Sequence, residues 1–222
     1  MPVYFITLLL LLLSSNSFSS ELAAHIVETT GYVQAKDSDD KFRDLKIGDI
    51  IHAQDTLISN RKSTVTLLFT DGSKFELGPN TTMEISQYKY QSTDKTDTFS
   101  TRIIKGSFRF ITGLIASDKP ESMNINLPVA TIGIRGTHVI GETTTTSAKI
   151  ILLKPESPKP TAIFVSNEFG SVLVDKQGYG TEIPDEFSPP SPMRRMQLQT
   201  IDNLRRSLQN IQRVRVPTRP GR

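Results

Sequence analysis

The sequence predicts an all-β fold followed by a C-terminal amphipathic helix. From His25 to about Gly180, short apolar runs of period two recur at spacings of roughly ten residues, separated by Gly, Asp, Asn, Pro and Ser. No helical period interrupts them. At Pro184 the composition changes to "PDEFSPPSP", which cannot pair into a central strand, and beyond it the apolar spacing becomes helical.

The strands expected, in order, are Ala24–Ala35, Ile50–Ile58, Ser63–Thr70, Lys74–Leu77, Thr82–Tyr90, Thr98–Ile104, Ser107–Thr112, Met123–Asn126, Thr137–Glu142, Lys149–Leu153, Thr161–Asn167, Ser171–Asp175 and Gly180–Ile183. One hairpin has a decidable register. In "TVTLLFTDGSKFELG", a two-residue loop at Asp71-Gly72 would set Leu67 opposite Glu76 and mix the two faces. A three-residue loop with Gly72 in the left-handed region pairs Leu67 with Phe75 and Val65 with Leu77, so that Asp71 and Gly72 are turn residues. Residues 184–192 then read as a linker. In "MRRMQLQTIDNLRRSLQNIQRVRV", Ile201, Leu204, Leu208 and Ile211 form one stripe of a helix over residues 193–216, and a tail of residues 217–222 follows. That stripe fits docking on the β-domain, pairing with another helix, or a membrane surface.

The N-terminal run "VYFITLLLLLL" has the length of a signal-peptide core and is short for a bilayer span. Small residues at Ser17 and Ser19 place cleavage near Ser19, so export to the periplasm or beyond is expected, with residues 1–19 as the signal peptide. The chain has no cysteine, which excludes disulfide staples, thiol catalysis, Cys-ligated metals and a lipid-anchored lipoprotein. The net charge of +3 hides an asymmetry: Arg194 to Arg222 carries eight arginines and one acid, while the rest holds 18 basic against 22 acidic residues. The high pI therefore belongs to the tail, and the body gives no sign of a nucleic-acid surface.

Little in the sequence suggests catalysis. His25, His52 and His138 show no metal-ligand spacing, and no Gly-x-Ser-x-Gly elbow occurs. "DSDDKFRD" (Asp37, Asp39, Asp40, Asp44) lacks the glycine and glutamate of a calcium loop and reads as a solvated turn. No catalytic residue, cofactor or metal is expected. Arg194, Arg195, Arg205, Arg206 and Arg213 could meet anionic lipid headgroups, a polysaccharide or an acidic partner, since guanidinium forks pair with phosphate and carboxylate; a solvated helix face is the plainer account.

The order of motifs is more specific than any single one. "GYVQAK" from Gly31, "LKIGDIIHAQDTLIS" with Gly48 and Asp49, "STVTLLFTDGSKFELGPNTTMEI" with Asp71 and Gly72, "IIKGSFRF" with Gly106, and "LPVATIGIRGTHV" with Gly133, Arg135, Gly136 and Thr137 together resemble the FecR domain family. The resemblance covers Gly31 to Val139. It implies a β-domain over residues 24–139 built as an elongated, solenoid-like stack or a sandwich of short strands, with a β extension over residues 140–183. It further implies binding without catalysis; the partner expected for this chain is an envelope protein or polysaccharide. In the family's best-known members the domain relays a transporter's state across the membrane to an anti-sigma segment. Here only about a dozen apolar residues precede the domain. The expectation is therefore an exported binding protein, or a periplasmic regulator whose cytoplasmic partner is another chain.

Within "ATIGIRGTH", Ile132 and Ile134 face one way, and Thr131, Gly133 and Arg135 the other. Gly133 and Gly136 are expected to permit a bend or a close backbone contact. Arg135 is expected to play a structural part, satisfying carbonyls or a carboxylate such as Glu142 at a sheet edge.

Overall fold

The computed structural model describes residues 21–91, 96–154 and 161–209. The first half of the chain supplies β1 (Leu22–Thr30), β2 (Val33–Lys36), β3 (Phe42–Asp44), β4 (Ile50–His52), β5 (Thr56–Ser59), β6 (Thr64–Phe69), β7 (Lys74–Leu77) and β8 (Thr82–Lys89). The long β9 (Thr98–Ile111) and the short helix α1 (Leu114–Asp118) follow. The second half supplies β10 (Met123–Leu127), β11 (Ala130–Arg135), β12 (His138–Thr143), β13 (Ala148–Leu152), β14 (Ala162–Asn167), β15 (Gly170–Val174), β16 (Tyr179–Ile183), β17 (Arg194–Arg195) and the helix α2 (Leu198–Gln209).

The strands form two sheets that share β9. The first runs β4-β1-β6-β7-β9-β12-β13-β16-β17, and the second runs β3-β2-β5-β8-β9-β10-β11-β14-β15. Residues 98–105 of β9 pair in the second sheet and residues 106–111 in the first. The crossing point is Gly106, at φ +110°, where an added Cβ would lie 2.5 Å from the Cα of Thr81; only glycine fits this conformation and space. Beyond β9, α1 and a 3-10 turn (Pro120–Ser122) carry the chain back, so that β10 lies parallel to the start of β9.

The inner faces pack as a sandwich. Phe69 and Phe75 from the first sheet meet Tyr88 and Phe99 from the second, with ring centroids 4.5–5.4 Å apart, and Phe110 stacks on Phe75. Each such side chain, buried to within a few per cent, contributes about 1.5–3 kcal/mol. A third layer covers the outer face of the first sheet. There Ile201, Leu204 and Leu208 of α2 bury against Ile140, Ile151, Leu153 and Met196. The all-β fold with a closing helix is as expected, in its sandwich form.

The differences are local. The strand expected over Ala24–Ala35 breaks at Gly31 (φ +70°), and the one over Ile50–Ile58 breaks at Gln54 (φ +73°), because left-handed residues end a strand. The two strands expected at Thr98–Ile104 and Ser107–Thr112 are one continuous β9. The helix begins at Leu198 and not at 193, since Arg194 and Arg195 pair with β16. Residues 184–192 are no free linker: Ser191 Oγ accepts the Glu182 N–H at 3.0 Å, and Thr181 Oγ1 donates to the Ser191 carbonyl at 2.7 Å. The expected signal peptide, Ile211, Arg213 and the tail at 217–222 lie outside the described residues.

Candidate interaction surface

In β11, Ala130, Ile132 and Ile134 are buried while Thr131, Gly133 and Arg135 face outward, as the alternation requires. Register with β14 sets Gly133 beside Phe164 and Arg135 beside Ala162; register with β15 sets Phe164 beside Leu173. The outer face thus carries the row Gly133, Phe164, Leu173, with Phe164 48% and Leu173 53% exposed. The next row sets Arg135 beside Ala162, and Asp175, the residue after β15, lines the same groove. Between these side chains and Glu121 from the 3-10 turn lies a groove of about 720 Å³.

Arg135 does not play the expected structural part. Among the described residues its side chain has no hydrogen bond or ion pair, and it is exposed. Gly136, at φ +46°, turns the chain out of the second sheet, so β12 enters the first and carries Glu142 away to pair with Lys149 Nζ at 3.2 Å. Gly133 is not forced either. A Cβ there would lie 3.7 Å from the Phe164 carbonyl, an ordinary contact.

The other motif residues hold backbone. Asp71 is 1% exposed; its carboxylate accepts the Ser73 N–H at 3.0 Å, the Ser73 hydroxyl at 2.8 Å and the Ile115 N–H at 3.4 Å, and its carbonyl accepts the Leu114 N–H at 2.9 Å. Gly72 is left-handed at φ +83°. Tyr88 Oη accepts the Asp71 N–H at 3.0 Å, and burial pushes this phenol up, keeping it neutral. Gly48, at φ +91°, and Asp49, whose carboxylate accepts the Lys46 N–H at 2.9 Å, close the turn before β4. Thr137 donates its N–H to Thr112 Oγ1 at 2.8 Å.

Residues 55–154 match the family model described as FecR protein. Over that segment, a little under half of its length, the chain is similar to the FecR family. Two crystal structures of a candidate anti-sigma factor from Parabacteroides distasonis ATCC 8503, at 2.50 and 1.65 Å resolution, share the fold of this chain. Each has a TM-score of 0.51, at 11% and 10% identity, over 66% of this chain. The chain spans 62% of the length of that protein, and at such identity the likeness is one of fold alone. A cell surface anchoring domain, 26% identical, covers 29% of this chain and 84% of its own length; its TM-score of 0.28 carries no argument. A comparison with curated proteins finds no match.

The FecR-domain match ends at residue 154, beyond β13, so the motif strand β11 and the cation it displays belong to it, while β14 and β15 lie after it. The groove is therefore shared between the segment that matches the FecR model and the strands that follow. Nothing in the sequence pointed to it, because Phe164 and Leu173 are ordinary strand residues until the register brings them beside Gly133. Elsewhere the chemistry is sparse. Among the described residues no three His, Cys, Asp or Glu side chains converge as a metal site. Of the tail arginines, Arg194 pairs with Glu182, and Arg206 bonds within its own helix to Asn203 Oδ1 at 2.9 Å. Arg195 and Arg205 are exposed, with Arg205 at the rim of a second, polar groove beside α2. Because Ile201, Leu204 and Leu208 of α2 face the sheet, the described part of the helix turns mainly charged and polar side chains outward, with Leu198 at its start.

Proposed function

We propose that the protein is an exported, non-enzymatic component of the bacterial cell envelope that binds another envelope protein through the outer face of its second sheet. One observation carries this reading: the FecR motif strand displays Arg135, without an ionic partner among the described residues, beside the exposed Phe164 and Leu173 and over an open groove. A cation that stabilises nothing within its own fold, set next to apolar side chains left in water, has the chemistry of a recognition surface. Export rests on the apolar run before the domain.

A second reading gives that binding a purpose. The FecR domain, together with the fold shared with a candidate anti-sigma factor, favours a regulatory part in transmembrane signalling, the cytoplasmic partner being a separate chain. A photo-crosslinking residue at Ala162 should capture a defined envelope protein in intact cells, and one at Thr144, in the turn between β12 and β13, should not. Arg135→Glu should abolish the Ala162 crosslink. Equal capture from both positions, or a crosslink indifferent to Arg135, would reject the surface. Unchanged transcription in a deletion strain, alongside an Arg135-dependent crosslink in cells that carry the protein, would reject signalling and keep the binding.

A further inference from the structure

The two sheets have four outer strands, and three of them are poor templates for pairing. In the first sheet β4 has three residues and meets β1 across a bulge, and β17 is two arginines. In the second, β3 is the three residues Phe-Arg-Asp. Short, bulged or charged edges are the usual protection against association. The fourth, β15, is Gly-Ser-Val-Leu-Val: five residues in unbroken register with β14, without charge, proline or bulge.

Its free hydrogen-bonding groups follow from the hairpin. The two-residue loop Glu168-Phe169 makes Asn167 and Gly170 a hydrogen-bonded pair, and alternation then makes Val165–Val172 and Ile163–Val174 hydrogen-bonded pairs too. The N–H and C=O groups of Ser171 and Leu173 point away from β14, and among the described residues no backbone hydrogen bond takes them up. Pro189 packs by Gly170 at the hairpin end and leaves Leu173 open.

We propose that β15 is the interface for a second copy of this chain, paired antiparallel about a two-fold axis through Leu173. The strand is its own best partner. In this register Leu173 lies opposite its counterpart, and Ser171 opposite Asp175, so a hydroxyl faces a carboxylate and no like charges meet. The row Gly133, Phe164, Leu173 continues across the axis into the same row reversed, making one apolar band over six strands. The two Arg135 grooves then open on one continuous face. A five-residue pairing is small against the roughly 1,200 Å² of a stable interface, so the dimer is reversible and not obligate.

The test uses the protein as purified from the envelope. Sedimentation velocity should show a concentration-dependent dimer. Leu173→Lys charges the edge, and Ser171→Pro removes one outward N–H without touching the ladder to β14; each should raise the dimer Kd at least about tenfold. The absence of native cysteine gives a second readout that needs no folding control: Leu173→Cys should form a disulfide-linked dimer under mild oxidation far faster than Phe42→Cys on the β3 edge. A wild-type monomer throughout the micromolar range, a dimer unchanged in both edge variants, or equal crosslinking of the two cysteine variants would each overturn the proposal.

Discussion

Gly113 lies so close to Asp71 that a methyl group on its Cα would collide with the Asp71 carbonyl oxygen and sit 2.5 Å from the Ser73 nitrogen. The Gly113 N–H donates to Ser73 Oγ at 2.9 Å, so the "DGS" turn grips the start of α1 through three residues. Gly113→Ala should destabilise the protein by at least about 2 kcal/mol through overpacking against backbone. Asp71→Ala strands buried N–H donors and should cost about 3 kcal/mol. Urea denaturation of both variants measures this, and a loss under about 0.5 kcal/mol in either would show that the turn is not gripped as described.

Arg135→Ala is expected to leave stability within about 0.5 kcal/mol of wild type, the range of exposed substitutions. It should nonetheless lose the envelope crosslink. This reverses the expectation drawn from sequence, in which Arg135 held the sheet edge. A large fall in the melting midpoint would restore the structural assignment.

The α2 layer makes a graded prediction. Leu204→Ala removes a side chain that is 4% exposed between α2 and the first sheet, and should cost about 2–4 kcal/mol. Arg205→Ala and Arg206→Ala, on the solvent side of the same helix, should stay within about 0.5 kcal/mol. If Leu204→Ala were as mild as the arginine variants, the helix would not be packed in solution.

The hairpin of β2 and β3 should respond to acid. Backbone hydrogen bonding from Lys41, then from Asp39, holds the Asp37 carboxyl below its ordinary range, and the Tyr32 hydroxyl, then Gln34, does the same for Asp44. Carboxyls with depressed folded values stabilise above the unfolded value near 4 and lose that contribution as pH falls through the folded values below it. Exchange of the Lys41 amide should therefore accelerate selectively below about pH 4, ahead of amides in β9. Uniform exchange across the molecule would contradict local loosening.

Period-two alternation and turn chemistry foretold much of the fold. The pairing of Leu67 with Phe75 and of Val65 with Leu77 is as the faces demand, and Gly72 is left-handed in the loop. The facing of Ile132 and Ile134 against Arg135 is equally a local matter. What escaped was non-local. Helix α1 has five residues, too few to show a period, and owes its start to Asp71 some forty residues earlier. The docking of residues 184–192 depends on Thr181 and Glu182 meeting Ser191, which composition cannot show. The groove was invisible for the same reason: a residue's neighbours across three strands are set by register, and register is a property of the whole sheet.

Because β9 belongs to both sheets, each half of this protein leaves strand edges that only β9 fills. Residues before Thr98 build two incomplete half-sheets with a gap where β9 must lie, and residues after Ile111 build the complementary pair. A ribosome must deliver the chain through Ile111 before the first aromatic cluster can close, since Phe99 and Phe110 come from that strand. The same strand passes beneath the helical layer at Ser107, which Ser207 of α2 touches at 3.1 Å, and borders β10 at its other end. A load applied to one face reaches the other along a continuous strand as well as across the packed aromatic core.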